Sequence, residues 1–270
     1  MGIAIDTILG KATNPGTTFT AITRATGTPS AVRSFAASDL AQIEMIVRQG
    51  ATSGAVRILS PLLVTNVRGI TFTTGESPAV WMLPPTIGQK VQSGDTLTVQ
   101  LTGGTAESDV VGYSIYYNNL PGAAARLFNP GTVLGSIEYI KPVQVTVTSS
   151  ATIGAWSDTL ITHTENLLKA GKTYAVLGYT VSSALAVVGI KGSETNNFRV
   201  CGPGATSTLD ISSWFLDVSR RHGTPHIPVF NADNRTTVYV SVAADAATVT
   251  STVTLILAQL STTLPGSAAG

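Results

Sequence analysis

The feature that most constrains this chain is a duplicated run: Val56 to Pro61 reads Val-Arg-Ile-Leu-Ser-Pro, and Phe198 to Pro203 reads Phe-Arg-Val-Cys-Gly-Pro, at an offset of 142 residues. An arginine between aliphatic residues, followed by a small residue and a proline, reads as a strand ending in a turn. Its recurrence points to an internal repeat, which settles the architecture before any single element does.

Other segments extend the duplication. Ile43 to Gly50 aligns with Leu185 to Gly192 at the same offset, and this favours a strand over a helix for the second half of Ser38 to Arg48. Ile70-Thr71-Phe72 matches Ser213-Trp214-Phe215 in kind, and Ser77 to Leu83 matches Thr224 to Phe230 at an offset grown to 147. A longer surface loop in the second copy accounts for that slip, because loops tolerate insertion and paired strands do not. The longest match joins Thr96 to Leu120 with Thr237 to Leu260, aligning Val99 with Val240, Leu101 with Val242, Ile115 with Leu255 and Tyr117 with Leu257. Period-two alternation in both copies marks strands with one buried and one exposed face.

Asn118 to Gly135, rich in Asn, Pro, Gly and Ala, reads as the connection, with units at 1–125 and 126–270. The second copy shows strand patterns at 139–148, 158–163, 173–181, 184–191, 197–202, 212–219, 226–230 with an extension at 236–243, and 249–259. That makes about eight, the number in a jelly roll. The expected fold is therefore all-β: two tandem jelly-roll β-sandwiches, a double jelly roll, with at most short helices. The best helical pattern is Thr164 to Lys169, with Gly171 as its C-cap.

Composition narrows the function classes. Charged residues make up 11% of the 270 and hydrophobic ones 43%, so the surface must be largely Thr, Ser, Gly and Ala. This suits a protein that buries much of its exterior against copies of itself. A net charge of +1 supplies no long-range field for nucleic acid. The longest basic cluster, Arg220-Arg221-His222, reads as solvated loop charge. Cys201 is the one cysteine, which excludes an intrachain disulfide and reads as a small buried hydrophobe. No apolar run approaches the ~20 residues of a membrane span, and Met1-Gly2 is followed by Asp6 where a myristoylation site wants Ser or Thr. A soluble, unprocessed chain is expected.

Catalytic patterns are weak. His163, His222 and His226 are the only histidines, and no G-x-S-x-G elbow accompanies them; Ser53 between Gly50 and Gly54 stands in the wrong place. His222 and His226 are four apart, but Pro225 between them denies them one helical face, so they read as flanks of a turn rather than metal ligands. Ala170-Gly171-Lys172-Thr173 lacks the upstream glycine of a phosphate loop, where Asn166 stands, and reads as a helix cap leading into a strand. Asp95, Glu107, Asp109, Glu138, Asp158 and Asp210 form no assignable acid and base pair. Trp81, Trp156 and Trp214 read as core or interface anchors inside apolar strands. No catalytic, cofactor-binding or metal residue is assigned, no cofactor is implied, and the chain is not expected to be an enzyme.

On the duplicated runs, Val56 to Pro61 with Phe198 to Pro203 and Thr96 to Leu120 with Thr237 to Leu260, the chain resembles the double jelly-roll major capsid proteins of tailless, icosahedral, membrane-containing prokaryotic viruses. The resemblance covers most of the chain. It implies a virion protein made in the host cytoplasm, assembling as a homotrimer whose six rolls form a pseudo-hexagonal capsomer. Neighbouring capsomers, minor capsid or vertex proteins and an internal membrane are the implied partners. Residues 1–33 hold Lys11, Arg24 and Arg33 against Asp6, too little charge to condense a genome, and no sequence-specific nucleic-acid binding is expected. Two other classes stay open: a spike, tail or surface module binding a receptor or glycan, and a cupin-type enzyme, which would need clustered His and carboxylate ligands.

Overall fold

The computed structural model describes residues 2–23, 32–34, 41–62, 69–74, 79–83, 89–91, 94–120, 125–161, 168–183, 185–204 and 210–261. The first half contributes β1 (Gly2–Thr13), β2 (Thr20–Ala21), β3 (Val32–Ser34), β4 (Ala41–Gln49), β5 (Gly54–Leu59), β6 (Ile70–Thr74), β7 (Ala79–Met82), β8 (Gln89–Val91), β9 (Thr96–Leu101) and β10 (Ser108–Leu120). The second contributes β11 (Leu127–Phe128), α1 (Pro130–Leu134), β12 (Ile137–Thr148), β13 (Ser157–Leu160), β14 (Thr173–Val181), β15 (Val187–Gly192), β16 (Val200–Pro203), α2 (Trp214–His222), β17 (Ile227–Asn231), β18 (Val238–Ala243) and β19 (Thr250–Leu260).

Alternating side chains make these segments two-faced. In β9, Leu97, Val99 and Leu101 are buried while Thr96, Thr98 and Gln100 are half-buried. Such strands must pair in sheets and bury one face against another sheet. The chain does so twice. In the first half, β1-β10-β4-β7 form one sheet, with β8 also on β4, and β2-β9-β5-β6 form the second, with β3 also on β9. In the second half the orders are β12-β19-β14-β17-β11 and β13-β18-β15-β16.

The two halves correspond in strand order: β1 and β12 lie beside the last strands β10 and β19, which lie beside β4 and β14, and the pairings between described strands are antiparallel throughout. Each follows the eight-position order of a jelly roll over two facing sheets, with β2 and β3 sharing one position, β7 and β8 another, and β11 added at an edge. The all-β double jelly roll with short helices is thus the fold of the chain.

Inside the first roll, Ile43, Ile46, Val56, Ile58, Val99, Leu101, Val111, Tyr113 and Ile115 form the core. The opposite face of the same sheet carries Ile5, Leu9, Met45, Val47, Val110 and Tyr116, which belong to one apolar cluster with the second roll. Burial on both faces explains why β4, buried at every position but Gln42, shows no simple apolar–polar alternation. Each of those six side chains contributes about 1.5–3 kcal/mol on burial, so the contact between the rolls is held by packing as well as by the connecting chain. On the far side of the second roll, α1 and α2 cover part of the outer face of β14, β17 and β19 through Val133 and Leu216.

Several expectations are corrected here. The strand expected at 212–219 is the helix α2, whose buried Phe215, Val218, Ser219 and His222 recur at helical spacing and whose Gly223 caps it at φ 67°. Segments 226–230 and 236–243, taken as one strand and its extension, are β17 and β18 in different sheets. The two errors offset each other, so the count of eight survives. Arg220-Arg221-His222 is the last turn of α2 rather than a loop, with His222 buried.

Trp214 opens that helix and Trp156 directly precedes β13, so neither lies inside a strand. Asn118 to Gly135 includes the end of β10, then β11 and α1. The helix expected at Thr164 to Lys169 falls almost wholly outside the described residues, and Gly171 sits in the turn before β14.

The repeat itself was aligned one strand out of step in part. The counterpart of β5 is β15, not β16, and the counterpart of β4 is β14, not β15. The pairs β7 with β17, β9 with β18 and β10 with β19 stand as aligned.

Candidate functional site

The largest concentration of buried polar groups lies along the seam where the first sheet of the first roll meets β15, β16 and α2 of the second. Close approach is set by Gly112 in β10: a Cβ there would lie 3.0 Å from both Leu9 and Val187 side chains.

One end of the seam is organised by a β-bulge. Ser114 pairs with Met45 and Ile115 pairs with Ile43, which leaves Glu44 as the extra residue. A bulge re-aims the side chain that it inserts. Ile43 and Ile46 stay in the core of the first roll, Met45 enters the seam, and the Glu44 carboxylate enters with it. There it meets Nε2 of His226, while Gln42 donates Nε2 to Glu44 Oε1 at 2.7 Å and His222 Nδ1 lies 3.8 Å from that oxygen.

The Tyr116 ring stacks on His226 at 5.5 Å between centroids, and the two imidazoles lie 5.7 Å apart. His226 Nδ1 lies 2.9 Å from Thr224 O. A carbonyl can only accept, so Nδ1 carries a proton and Nε2 faces the carboxylate with one further proton between them. His222 differs: both ring nitrogens are buried without a hydrogen-bond partner. Burial holds its pKa below the usual histidine value, opposed by Glu44 and reinforced by His226 and Arg221.

The middle of the seam is small and neutral. Thr7 Oγ1 and Ser114 Oγ are hydrogen bonded at 2.8 Å. Beside them a small cavity is lined by Glu44, Ser114, Cys201, Trp214, Val218 and His226. Burial pushes the Cys201 thiol up to about 12, and Trp214 Nε1 donates to Cys201 O at 3.3 Å. The cysteine is therefore a packing residue. Its counterpart in the first roll lies on β6, not at Leu59.

The other end holds a fully buried ion pair, Arg48 Nη2 to Asp109 Oδ2 at 2.6 Å, with Arg48 also donating to Thr52 O at 2.9 Å. Glycine is required around it: a Cβ on Gly54 would lie 2.7 Å, and one on Gly103 2.9 Å, from the Arg48 guanidinium. Burial pushes the Asp109 carboxyl up to about 6, against the pull of Arg48. Burial also raises Glu107, but bonds from Thr52 and Gly104 outweigh it and leave that carboxylate below its usual range. Asp245 N donates to Gln49 Oε1 at 3.2 Å across the seam, and burial raises the Asp245 carboxyl.

A matched pair of arginine clamps decorates the second sheet of each roll. Arg57 lies 4.0 Å over the Phe19 ring and donates Nε to Gln100 Oε1 at 3.0 Å. Arg199 lies 4.9 Å over Trp156, donates Nε to Ser241 Oγ at 3.3 Å and pairs with Asp158 at 2.9 Å. Phe19 and Trp156 directly precede the corresponding strands β2 and β13, and Gln100 and Ser241 stand on the corresponding strands β9 and β18.

Of the residues singled out in the sequence, the structure brings His222 and His226 together and adds Glu44. Trp81 packs on Phe72 at 5.8 Å, Asp95 accepts from Ser60 and the Thr96 amide, Glu138 from Lys172 and Gln259, and Asp210 from the Ser212 amide. Ala170 to Thr173 forms the turn into β14, where Gly171 N donates to Asp233. Among the described residues no group of three or more His, Cys, Asp or Glu is arranged to hold a metal ion. Ser114 is bonded to Thr7, not to a base. What this seam can do chemically is hold a proton and fix the two rolls.

Among the described residues, two sheet faces have nothing packed over most of their width. On β12 and β19, Gln144, Thr146 and Thr148 stand in register with Thr254, Thr252 and Thr250. On the second sheet of the first roll, Thr71, Thr73, Thr98 and Gln100 surround Arg57.

No family model matches the chain, and no curated protein matches it. Among solved structures, the PBSX exported protein XepA is similar at 9% identity over 94% of this chain and 86% of that chain, with a TM-score of 0.26, a likeness too slight to bear on fold or function.

Proposed function

We propose that this chain is a major capsid protein, a virion building block that assembles with two further copies into a pseudo-hexameric capsomer tiling an icosahedral shell. The observation that carries the reading is the unequal covering of equivalent faces. The first sheet of roll one is buried by roll two, whereas the corresponding sheet of roll two presents Gln144, Thr146, Thr148, Thr250, Thr252 and Thr254, with no charged residue in 142–148 or 250–257.

Exposed sheet faces of monomers are normally charged. The second sheet of roll one, with Thr71, Thr73, Thr98 and Gln100, is the face that would cover it in a neighbouring copy, repeating the contact within the chain. Such a head-to-tail contact closes into a ring when the rotation between copies is a whole fraction of a turn, as three-fold assembly requires. Three chains give six rolls, in keeping with the resemblance to double jelly-roll capsid proteins. Minor capsid proteins and an enclosed membrane are the partners of this reading; the genome is packaged without direct condensation by this chain.

Light scattering and negative-stain imaging of purified protein test the proposal. Trimers or shell-like assemblies are expected, and a Thr252→Lys, Thr146→Lys variant should remain folded by circular dichroism yet sediment as a monomer. A wild-type monodisperse monomer that binds a sugar would favour a receptor- or glycan-binding module instead.

A further inference from the structure

We infer that Glu44, His222 and His226 form an acid-released clasp across the seam, holding the rolls together at neutral pH and loosening them when His222 takes up a proton. The inference concerns the chain's own seam and stands whether or not the protein is a capsid component.

Glu44 belongs to the first roll; both histidines belong to the second. All three are buried, at 2%, 9% and 3% exposure for Glu44, His222 and His226. In the closed seam Glu44 and His226 share one proton and His222 is neutral, so the trio carries no net charge. A second proton on the histidines would leave one uncompensated positive charge away from water, which is costly unless it is paired.

Among the described residues, the surrounding groups offer no such pairing. From β10, Tyr116 faces the cluster, its hydroxyl held neutral by burial and by Glu44. From β16, the Cys201 thiol is neutral. From α2, Arg221 adds like charge, and Asp217 is turned to the exposed side, where it pairs with Arg220 at 3.6 Å. Gln42 and Thr224 contribute neutral dipoles.

The sign follows from linkage. An opened seam returns His222 to its ordinary value near 6.5, while burial keeps it lower in the closed one. The opened form therefore binds more protons below that pH. Below about 6.5 the clasp weakens as pH falls, by up to about ten-fold in the opening equilibrium per pH unit. The weakening stops at the lowered pKa of the closed form.

Hydrogen–deuterium exchange on the full chain at pH 6.5 and pH 5.0, corrected for intrinsic rates, reads this directly. Peptides from β4, β10 and α2 should show an opening equilibrium several-fold larger at pH 5.0, with β9 and β18, interior to their sheets and away from the cluster, changing far less. A His222→Gln variant should abolish the difference. Equal seam protection at both pH values, or an undiminished difference in His222→Gln, would overturn the clasp. Should that variant fail to fold, histidine NMR titration of the wild type decides: His222 must titrate together with loss of seam protection. Titration of His222 near 6.5 with the seam still protected refutes the inference.

Discussion

Breaking the Arg48–Asp109 pair should cost different amounts depending on which partner is removed. Both side chains have 0% exposure, and the backbone at Gly50, Gly54 and Gly103 packs directly against them. Asp109→Asn leaves a guanidinium that cannot lose its proton in a protein, so the full penalty of an unpaired buried charge applies, about 3–5 kcal/mol. Arg48→Met leaves a carboxyl that burial already pushes up to about 6. Without the guanidinium it rises further and takes a proton at neutral pH, a cheaper escape of about 1–3 kcal/mol.

The pH dependence separates the two variants. A carboxyl whose folded pKa exceeds its unfolded 3.8 loses stability as pH rises from that value through the folded one. Arg48→Met should therefore recover stability between pH 7.5 and pH 5.5, and Asp109→Asn should show no such recovery at this site. Urea midpoints at the two pH values measure this, and the double variant Arg48→Met, Asp109→Leu should match or exceed the wild type by up to about 4 kcal/mol. Equal, pH-independent costs for the two single variants, or a cost below about 1 kcal/mol for Asp109→Asn, would refute the reasoning.

Two further outcomes follow from packing. Gly112→Val places methyl groups beyond a Cβ already 3.0 Å from Leu9 and Val187, so it should wedge the seam and cost about 1–3 kcal/mol by thermal or urea unfolding. The Cys201 thiol, buried and pushed up to about 12, should resist a disulfide reagent at pH 8 in the native protein and react stoichiometrically in denaturant.

The fold was legible where one physical signal dominated. Period-two alternation placed β9 and β19 correctly, because along most of their length those strands have one face in a core and the other toward solvent or neutral neighbours. Where a segment is buried on both faces, as β4 is, the alternation disappears and the helical reading of Ser38 to Arg48 competes. The helix α2 was missed for a related reason. Trp214, Phe215, Leu216 and Val218 look like a strand, and the better signal lay in the spacing of Phe215, Val218, Ser219 and His222 with basic residues before Gly223.

The seam was not legible, because its central contact joins Glu44 to His226 across 182 residues and depends on a bulge that no composition announces. The opening duplication failed in a more informative way. Arg57 and Arg199 do perform the same task, each stacking on an aromatic residue that precedes a corresponding strand and bonding a side chain on β9 or β18. They do so from different strands. In the second roll the position on β15 that corresponds to Arg57 is Gly189, whose missing side chain leaves room for the Cys201 sulfur in a face that the first roll covers.

An arginine at Gly189 would stand in the buried seam. The second roll supplies its guanidinium instead from Arg199, just before β16, where Asp158 can pair with it. The same clamp, set on a covered and on an uncovered face, thus takes its arginine from strands one step apart, and this displacement is the one by which the alignment of Val56 to Pro61 with Phe198 to Pro203 departs from the topology.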